Sequence, residues 1–292
     1  MLRLLSRWSA ALLVALLSGA CSRLALLDAF TPKGAMTVAR DIALGDDPRQ
    51  SLDVYTPNAR PPRPRPIIVW FYGGSWQSGR KAHYRFIAEW LTGLGYVVAI
   101  PDYRLYPKVR FPAFLEDGAK ALAWLADEKN VAPLAGDARC LILMGHSAGA
   151  YNAAMLAHDR RWADAAGVPA GAVKGFIGLA GPYDFHPYDV PSTKATFGDA
   201  PPEETQPVRR AQAGGPATLL LHGRADTTVD PRHVEALAQV LRRVGVPVET
   251  HMFDGVDHVR IVSALSTPLK RGDIRAPIAG FLARVEKTQC RT

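Results

Sequence analysis

The sequence predicts an α/β fold, built on a mostly parallel central sheet with helices on both faces. Three observations predict it. Short, continuously apolar runs recur at 67–72 (IIVWFY), 96–100 (YVVAI), 141–144 (LILM) and 217–221 (ATLLL); stretches of helical periodicity separate them; and glycine or proline closes most of the runs. Strands covered by helices on each side read as unbroken apolar runs, and parallel neighbours need crossovers long enough to hold a helix. At 292 residues, with 48% hydrophobic and 21% charged content, the chain is globular and long enough for one large domain.

The first twenty residues stand apart from that domain. Arg3 and Arg7 precede the apolar run 10–17, too short to cross a bilayer but suited to a secretory signal. Ser18 and Ala20 then stand just before Cys21, which resembles the signal of a bacterial lipoprotein with Cys21 as the acylated first mature residue. Such signals usually carry leucine where this one has Ser18. Ordinary secretory cleavage at the same bond and a short retained anchor are the alternatives. All three place the body outside the cytoplasm, in the periplasm or cell envelope, with membrane anchorage through Cys21 in the first.

From residue 36 to 288 the pattern reads as one domain. Residues 36–44 and 51–55 alternate apolar with polar, as half-exposed strands near a sheet edge do. The run 67–72 is a buried strand feeding the loop Gly73-Gly74; 82–94 is helical and closes on Gly95; 96–100 is a strand stopped by Pro101. Leu115, Ala119, Leu122 and Leu125 share one helical face before the strand at 141–144. A helix of small residues (AGAYNAAMLA) follows, then strands at 173–179, 217–221 and 248–253, with helices at 234–244 and 274–285. Residues 183–215, rich in proline, aspartate and threonine, break the rhythm and are expected to form a small cap insertion over the carboxyl ends of the strands, where parallel sheets place ligands.

Charge and cysteine content narrow the function. The formal net charge of +8 falls to +6 once Arg3 and Arg7 leave with the signal. The densest basic stretch, RPPRPRP at 60–66, is a proline-extended connector without interleaved aromatics, so no nucleic-acid partner is expected. Cys140 opens an apolar strand and reads as a small buried hydrophobe, Cys290 lies in a polar tail, and their spacing suggests neither a disulfide nor a metal site. Nothing in the pattern specifies an oligomeric state.

The chemistry centres on LMGHSAGA, residues 143–150. A strand that turns sharply into a helix strains the residue between them, and side chains two positions to either side would collide. Gly145 and Gly149 remove that collision and leave Ser147 exposed above the positive end of the helix. A serine so placed reads as a nucleophile rather than a plain helix cap. It needs a base, and the base needs an orienting carboxylate. Asp226 follows the strand ATLLL, and His258 follows the strand VETHMF, giving the order nucleophile, acid, base. Asp230, next to Pro231, is the alternative acid and reads as a helix cap; His251 within a strand and His233 within a helix are the alternative bases. His146 and His222 adjoin the two key turns as supports. Gly73, Gly74 and Ala148 are the candidate backbone donors of an oxyanion hole.

The pieces LDVYTP, WFYGGSW, VVAIPDYRLYP with FPA, GHSAGA, HGRADTTV and a final DH, in that order, resemble an α/β-hydrolase of the carboxylesterase kind over residues 47–282. The pattern is close to that of the hormone-sensitive-lipase, feruloyl-esterase-like and kynurenine-formamidase-like groups. The resemblance implies an α/β-hydrolase fold and hydrolysis of a small-molecule ester through an acyl-enzyme, with no cofactor or metal. The chain departs from it at Tyr72, where those groups usually carry histidine, and at YRLYPK, where relatives carry YRLAPE. The expectation is a serine esterase acting on small to medium acyl esters. An arylformamidase or other amidase, and a non-catalytic binding protein anchored to the envelope, are the alternatives.

Overall fold

The structure is a computed structural model describing residues 31, 34, 36–59 and 61–290. The expected signal segment, Cys21 and Arg60 lie outside the described residues.

Eight strands form one sheet: β1 (Met36–Ala43), β2 (Ser51–Pro57), β3 (Arg65–Phe71), β4 (Val97–Pro101), β5 (Gly136–His146), β6 (Val173–Leu179), β7 (Ala217–Gly223) and β8 (Val248–Phe253). Their order is β1-β2-β4-β3-β5-β6-β7-β8. The first two pairings are antiparallel and the rest parallel. β1 is an edge strand as its alternation suggests, whereas β2 lies inside it with its first five residues buried.

Helices close both faces, and alternation along the strands divides the core between them. Ile68 and Trp70 of β3 and Ile142 and Met144 of β5 face α1 (Arg85–Gly93) and the long C-terminal helix α6 (Gly272–Gln289). Ile67, Val69, Leu141 and Leu143 face the opposite side, where α2 (Ala113–Leu125), α3 (Ala148–His158) and α5 (Arg232–Arg243) pack. Every residue of α3 is buried. Only a helix starting with Ala148, Gly149 and Ala150 can lie that close to the sheet, and this fixes where its amino end points.

Two findings modify the sequence reading. Cys140 and Cys290 are joined by a disulfide, their Cα atoms 5.4 Å apart, so the expectation of two unrelated thiols is overturned. The bridge spans 150 residues of sequence and exists because α6 returns across the sheet to β5, a placement that spacing does not reveal. The segment 183–215 contains α4 (Pro191–Phe197) and two single-turn helices, Pro202–Thr205 and Pro207–Arg210. Phe185 N–H donates to Gln206 Oε1 at 2.7 Å within the segment, and Arg210 ties it to the fully buried Asp159 at 2.9 Å.

Candidate active site

Ser147 occupies the sharp turn between β5 and α3, with φ 55° and ψ −127°, a conformation that costs an L-residue energy and persists only when its surroundings enforce it. The glycine spacing has a measurable reason. A Cβ at Gly145 would lie 2.4 Å from the Gly149 carbonyl oxygen, and one at Gly149 would lie 2.1 Å from the Phe71 carbonyl oxygen. The second contact means that the end of β3 and the start of α3 touch backbone to backbone beneath the serine.

Three side chains from three strand ends meet there. His258 Nε2 lies 2.9 Å from Ser147 Oγ, and His258 Nδ1 lies 2.7 Å from Asp226 Oδ2. Asp226 is held on all sides. Its Oδ1 accepts the backbone N–H groups of Thr228 and Val229 at 2.9 and 3.0 Å, and its Oδ2 also receives His222 Nε2 at 3.0 Å. Burial raises the proton affinity of this carboxyl, but the hydrogen bonds from His222, His258 and the backbone outweigh it and hold the group far below the usual carboxylate range. Asp226 is thus a fixed anion facing the far nitrogen of His258.

The rival residues sit elsewhere. Asp230 accepts the Arg232 N–H at 2.9 Å at the start of α5, His251 lies within β8, and His233 accepts the Asp184 N–H at 3.1 Å. His146 and His222 support the turns in a specific way. His146 Nε2 donates to the His258 carbonyl at 2.8 Å, and burial together with nearby His258 pushes its pKa down to about 3, so it stays neutral. His222, with no solvent exposure, directs Nε2–H toward Asp226 and the Val229 carbonyl, both of which can only accept.

The loop after β3 lies against the serine, and a Cβ at Gly73 would fall 2.9 Å from Ser147 Cβ. Gly74 has φ 128°, and a Cβ there would meet the Ser78 carbonyl oxygen at 2.2 Å. Ala148 is the first residue of α3, where the N–H has no intrahelical acceptor. Gly73 and Ala148 therefore adjoin Ser147, while Gly74 closes the turn that runs on to Ser78.

Sequence reasoning missed what holds this loop. Tyr72, where related patterns carry histidine, is fully buried, donates its hydroxyl to Asp102 Oδ1 at 2.6 Å and accepts Arg49 Nη2 at 2.8 Å. Arg49 also reaches the carbonyls of Tyr103 and Gly79, and the Tyr103 hydroxyl donates to the Tyr72 carbonyl at 2.7 Å. Asp102 and Tyr103 lie in the motif VVAIPDYRLYP, so the signal was present in the sequence, but its partner Arg49 comes from the loop before β2.

The sheet order, the strained turn and the hydrogen-bonded Ser147, His258 and Asp226 define an α/β-hydrolase. The chain belongs to the BD-FAE family, whose model matches residues 52–241. It is 28% identical over 251 residues to Esterase LipC of Mycobacterium tuberculosis, covering 76% of this chain and 61% of that protein. It is 25% identical over 257 residues to isoprenylcysteine alpha-carbonyl methylesterase of Arabidopsis thaliana, covering 80% and 59%. The chain thus spans about six-tenths of the length of the curated relatives it matches. Among solved structures it is similar to esterase B from Lactobacillus rhamnosis, with TM-score 0.79, 19% identity and 96% of each chain covered. It is also similar to Thermogutta terrifontis esterase 2, with TM-score 0.66, 23% identity and 88% and 95% covered. Both are likenesses of fold.

Proposed function

We propose that this protein is a serine carboxylesterase that hydrolyses small to medium acyl esters through an acyl-enzyme. The observation that carries the reading is the continuous relay from Ser147 Oγ to His258 at 2.9 Å and on to Asp226 at 2.7 Å. Ser147 Oγ attacks the ester carbonyl carbon while His258 Nε2 takes its proton; the alcohol leaves with that proton, and water repeats the sequence to release the acid. Asp226 holds Nδ1 protonated, leaving Nε2 free to accept. The N–H groups of Gly73, Gly74 and Ala148 stabilise the oxyanion, each worth about 10²–10³ in turnover. The names of the relatives, esterases throughout, support the reaction class.

Export with lipid anchorage through Cys21 belongs to the same proposal. The Cys140–Cys290 disulfide supports it, since such bonds persist in oxidising compartments. Residues 183–215 would serve as the cap over the site. The deciding experiment is hydrolysis of p-nitrophenyl acetate by wild type and Ser147→Ala, with fluorophosphonate labelling of both; equal rates would refute the reading. Parallel rates on N-formylkynurenine separate an esterase from a formamidase.

A further inference from the structure

Backbone bonds sew the turn that carries Asp226 to the turn that carries His258. The N–H groups of Arg224 and Ala225 donate to the carbonyls of Phe253 and Val256 at 2.9 and 3.1 Å, and a Cβ at Gly223 would lie 2.0 Å from the Val256 carbonyl oxygen. These contacts set where the two backbones stand. They leave open the rotation of the Asp226 carboxylate, on which the aim of the His258 ring depends.

Three donors besides His258 fix that rotation. The Thr228 and Val229 N–H groups occupy Oδ1, while His222 Nε2 shares Oδ2 with His258 Nδ1, at 3.0 and 2.7 Å. His222 is the penultimate residue of β7, four positions before Asp226, and its side chain has no solvent exposure. Its Nδ1 is buried without a hydrogen-bond partner among the described residues, so the ring acts on its surroundings through Nε2–H. That one N–H is divided between two acceptors, Asp226 Oδ2 at 3.0 Å and the Val229 carbonyl at 3.1 Å.

The division matters when charge moves. While His258 is neutral, two imidazole N–H groups draw on the same carboxylate oxygen. Once His258 has taken the Ser147 proton, its ring is cationic and its bond to Oδ2 becomes the stronger, charge-assisted kind. The His222 proton then leans toward the Val229 carbonyl, an acceptor already within reach, and no buried group is stranded.

We propose that His222 is a positioning residue for the hydrolysis: it holds the Asp226 carboxylate while His258 is neutral and yields Oδ2 to His258 as the imidazolium forms. The inference rests on the esterase reading and deepens it. Two substitutions differ in reach by one bond. Glutamine sets its amide nitrogen where Nε2 stands, whereas asparagine sets it where Nδ1 stands, short of Asp226. His222→Asn is expected to lose about 10–100-fold in kcat on p-nitrophenyl acetate with KM nearly unchanged, and His222→Gln to regain most of that loss. Fluorophosphonate labelling counts the active sites, so unfolded protein is not read as lost turnover.

A second measurement needs no variant. In wild type labelled with 15N-histidine, His222 is expected to carry its proton on Nε2; when a fluorophosphonate adduct on Ser147 favours the His258 imidazolium, the His258 Nδ1–H resonance should move downfield and the His222 Nε2–H resonance upfield. A ring that served packing alone would show no such exchange. Should His222→Asn not fold, these spectra decide the matter.

An active His222→Asn enzyme with unchanged kcat overturns the inference. So does His222→Gln as impaired as His222→Asn, a His222 proton found on Nδ1, or a His222 resonance that stays still while that of His258 moves. In each of those cases hydrolysis that depends on Ser147 persists and the esterase reading stands. Loss of that dependence in wild type removes the reading and the inference together.

Discussion

Replacing Tyr72 by phenylalanine tests how the oxyanion loop is held. The ring stacks on Tyr103 at 4.7 Å and on Tyr84 at 5.4 Å, contacts that phenylalanine keeps, so the substitution isolates the hydroxyl. Burial first, and then the Asp102 charge, raise the proton affinity of this phenol well above its ordinary range, so it donates to Asp102 at every working pH. Two charge-assisted hydrogen bonds disappear, to Asp102 at 2.6 Å and from Arg49 at 2.8 Å. Neither partner is left bare: Asp102 Oδ1 still accepts the Lys81 N–H at 2.7 Å, and Arg49 keeps the Tyr103 and Gly79 carbonyls. Hydrogen bonds to charged groups contribute roughly 1.5–3 kcal/mol each, and the residual partners recover part, which leaves a net loss of about 2–3 kcal/mol. For a chain of this size that is a fall in Tm of about 5–10 °C. Because Gly73 follows Tyr72 directly, turnover should drop by about tenfold, a fraction of the effect of deleting a donor outright. Thermal melts by circular dichroism and steady-state hydrolysis of p-nitrophenyl acetate measure both. A melting temperature within about 1 °C of wild type, with turnover intact, would show that the network does not hold the loop.

Ser147→Ala should lower turnover by at least about 10³ with no loss of melting temperature, since the hydroxyl makes no core contact; a destabilised variant would point to a structural serine. Acid should destabilise the fold through buried neutral histidines: burial pushes His146 down to about 3 and His158 and His233 to about 4. The unfolded imidazole titrates near about 6.5, so below that the unfolded chain binds more protons. Each histidine then removes about 1.4 kcal/mol per pH unit until its folded value is reached. Melting temperature is expected to be level above about pH 7 and to fall steeply below about pH 6, more gently in His158→Gln; a level profile down to about pH 5 would contradict the burial. Reducing the Cys140–Cys290 bond should cost about 2–4 kcal/mol, read as a lower melting temperature in dithiothreitol. Cys290→Ser should show the same lowered value and no further response to reductant, while any turnover of p-nitrophenyl acetate stays the same in both because the bond lies at the amino-terminal half of β5, away from Ser147.

Much of this molecule was legible in its sequence, for reasons that differ between its parts. The strands β3 to β7 announce themselves because burial on both faces leaves no room for polar residues, and that constraint is local. Ser147 was legible because the steric demand of its turn is met by residues only two positions away. Asp226 and His258 could be selected because each follows a strand, and strand ends are readable even when partners are not. The disulfide was illegible because it depends on where α6 lands, and no local pattern encodes that. The packing of Phe114, Tyr151, Phe185 and Phe197 around Trp76 was hidden for a related reason. Its members lie in four separate segments, and the run 183–215 looks polar overall while Phe185 and Phe197 turn inward. The Arg49 to Tyr72 contact likewise joins two loops through a tertiary route.

The backbone contact between Gly149 and Phe71 carries one more implication. Because nothing larger than hydrogen fits between them, the turn that carries the serine and the end of β3 form one closely packed piece. Diversity in such a scaffold must come from around that piece. A randomised library would find positions 145 and 149 intolerant, while glycines in open space such as Gly167, Gly245 and Gly255 would meet no steric bar and only the backbone preference of their φ values. Selection for new substrates would therefore be expected to gather at positions away from this glycine-packed turn.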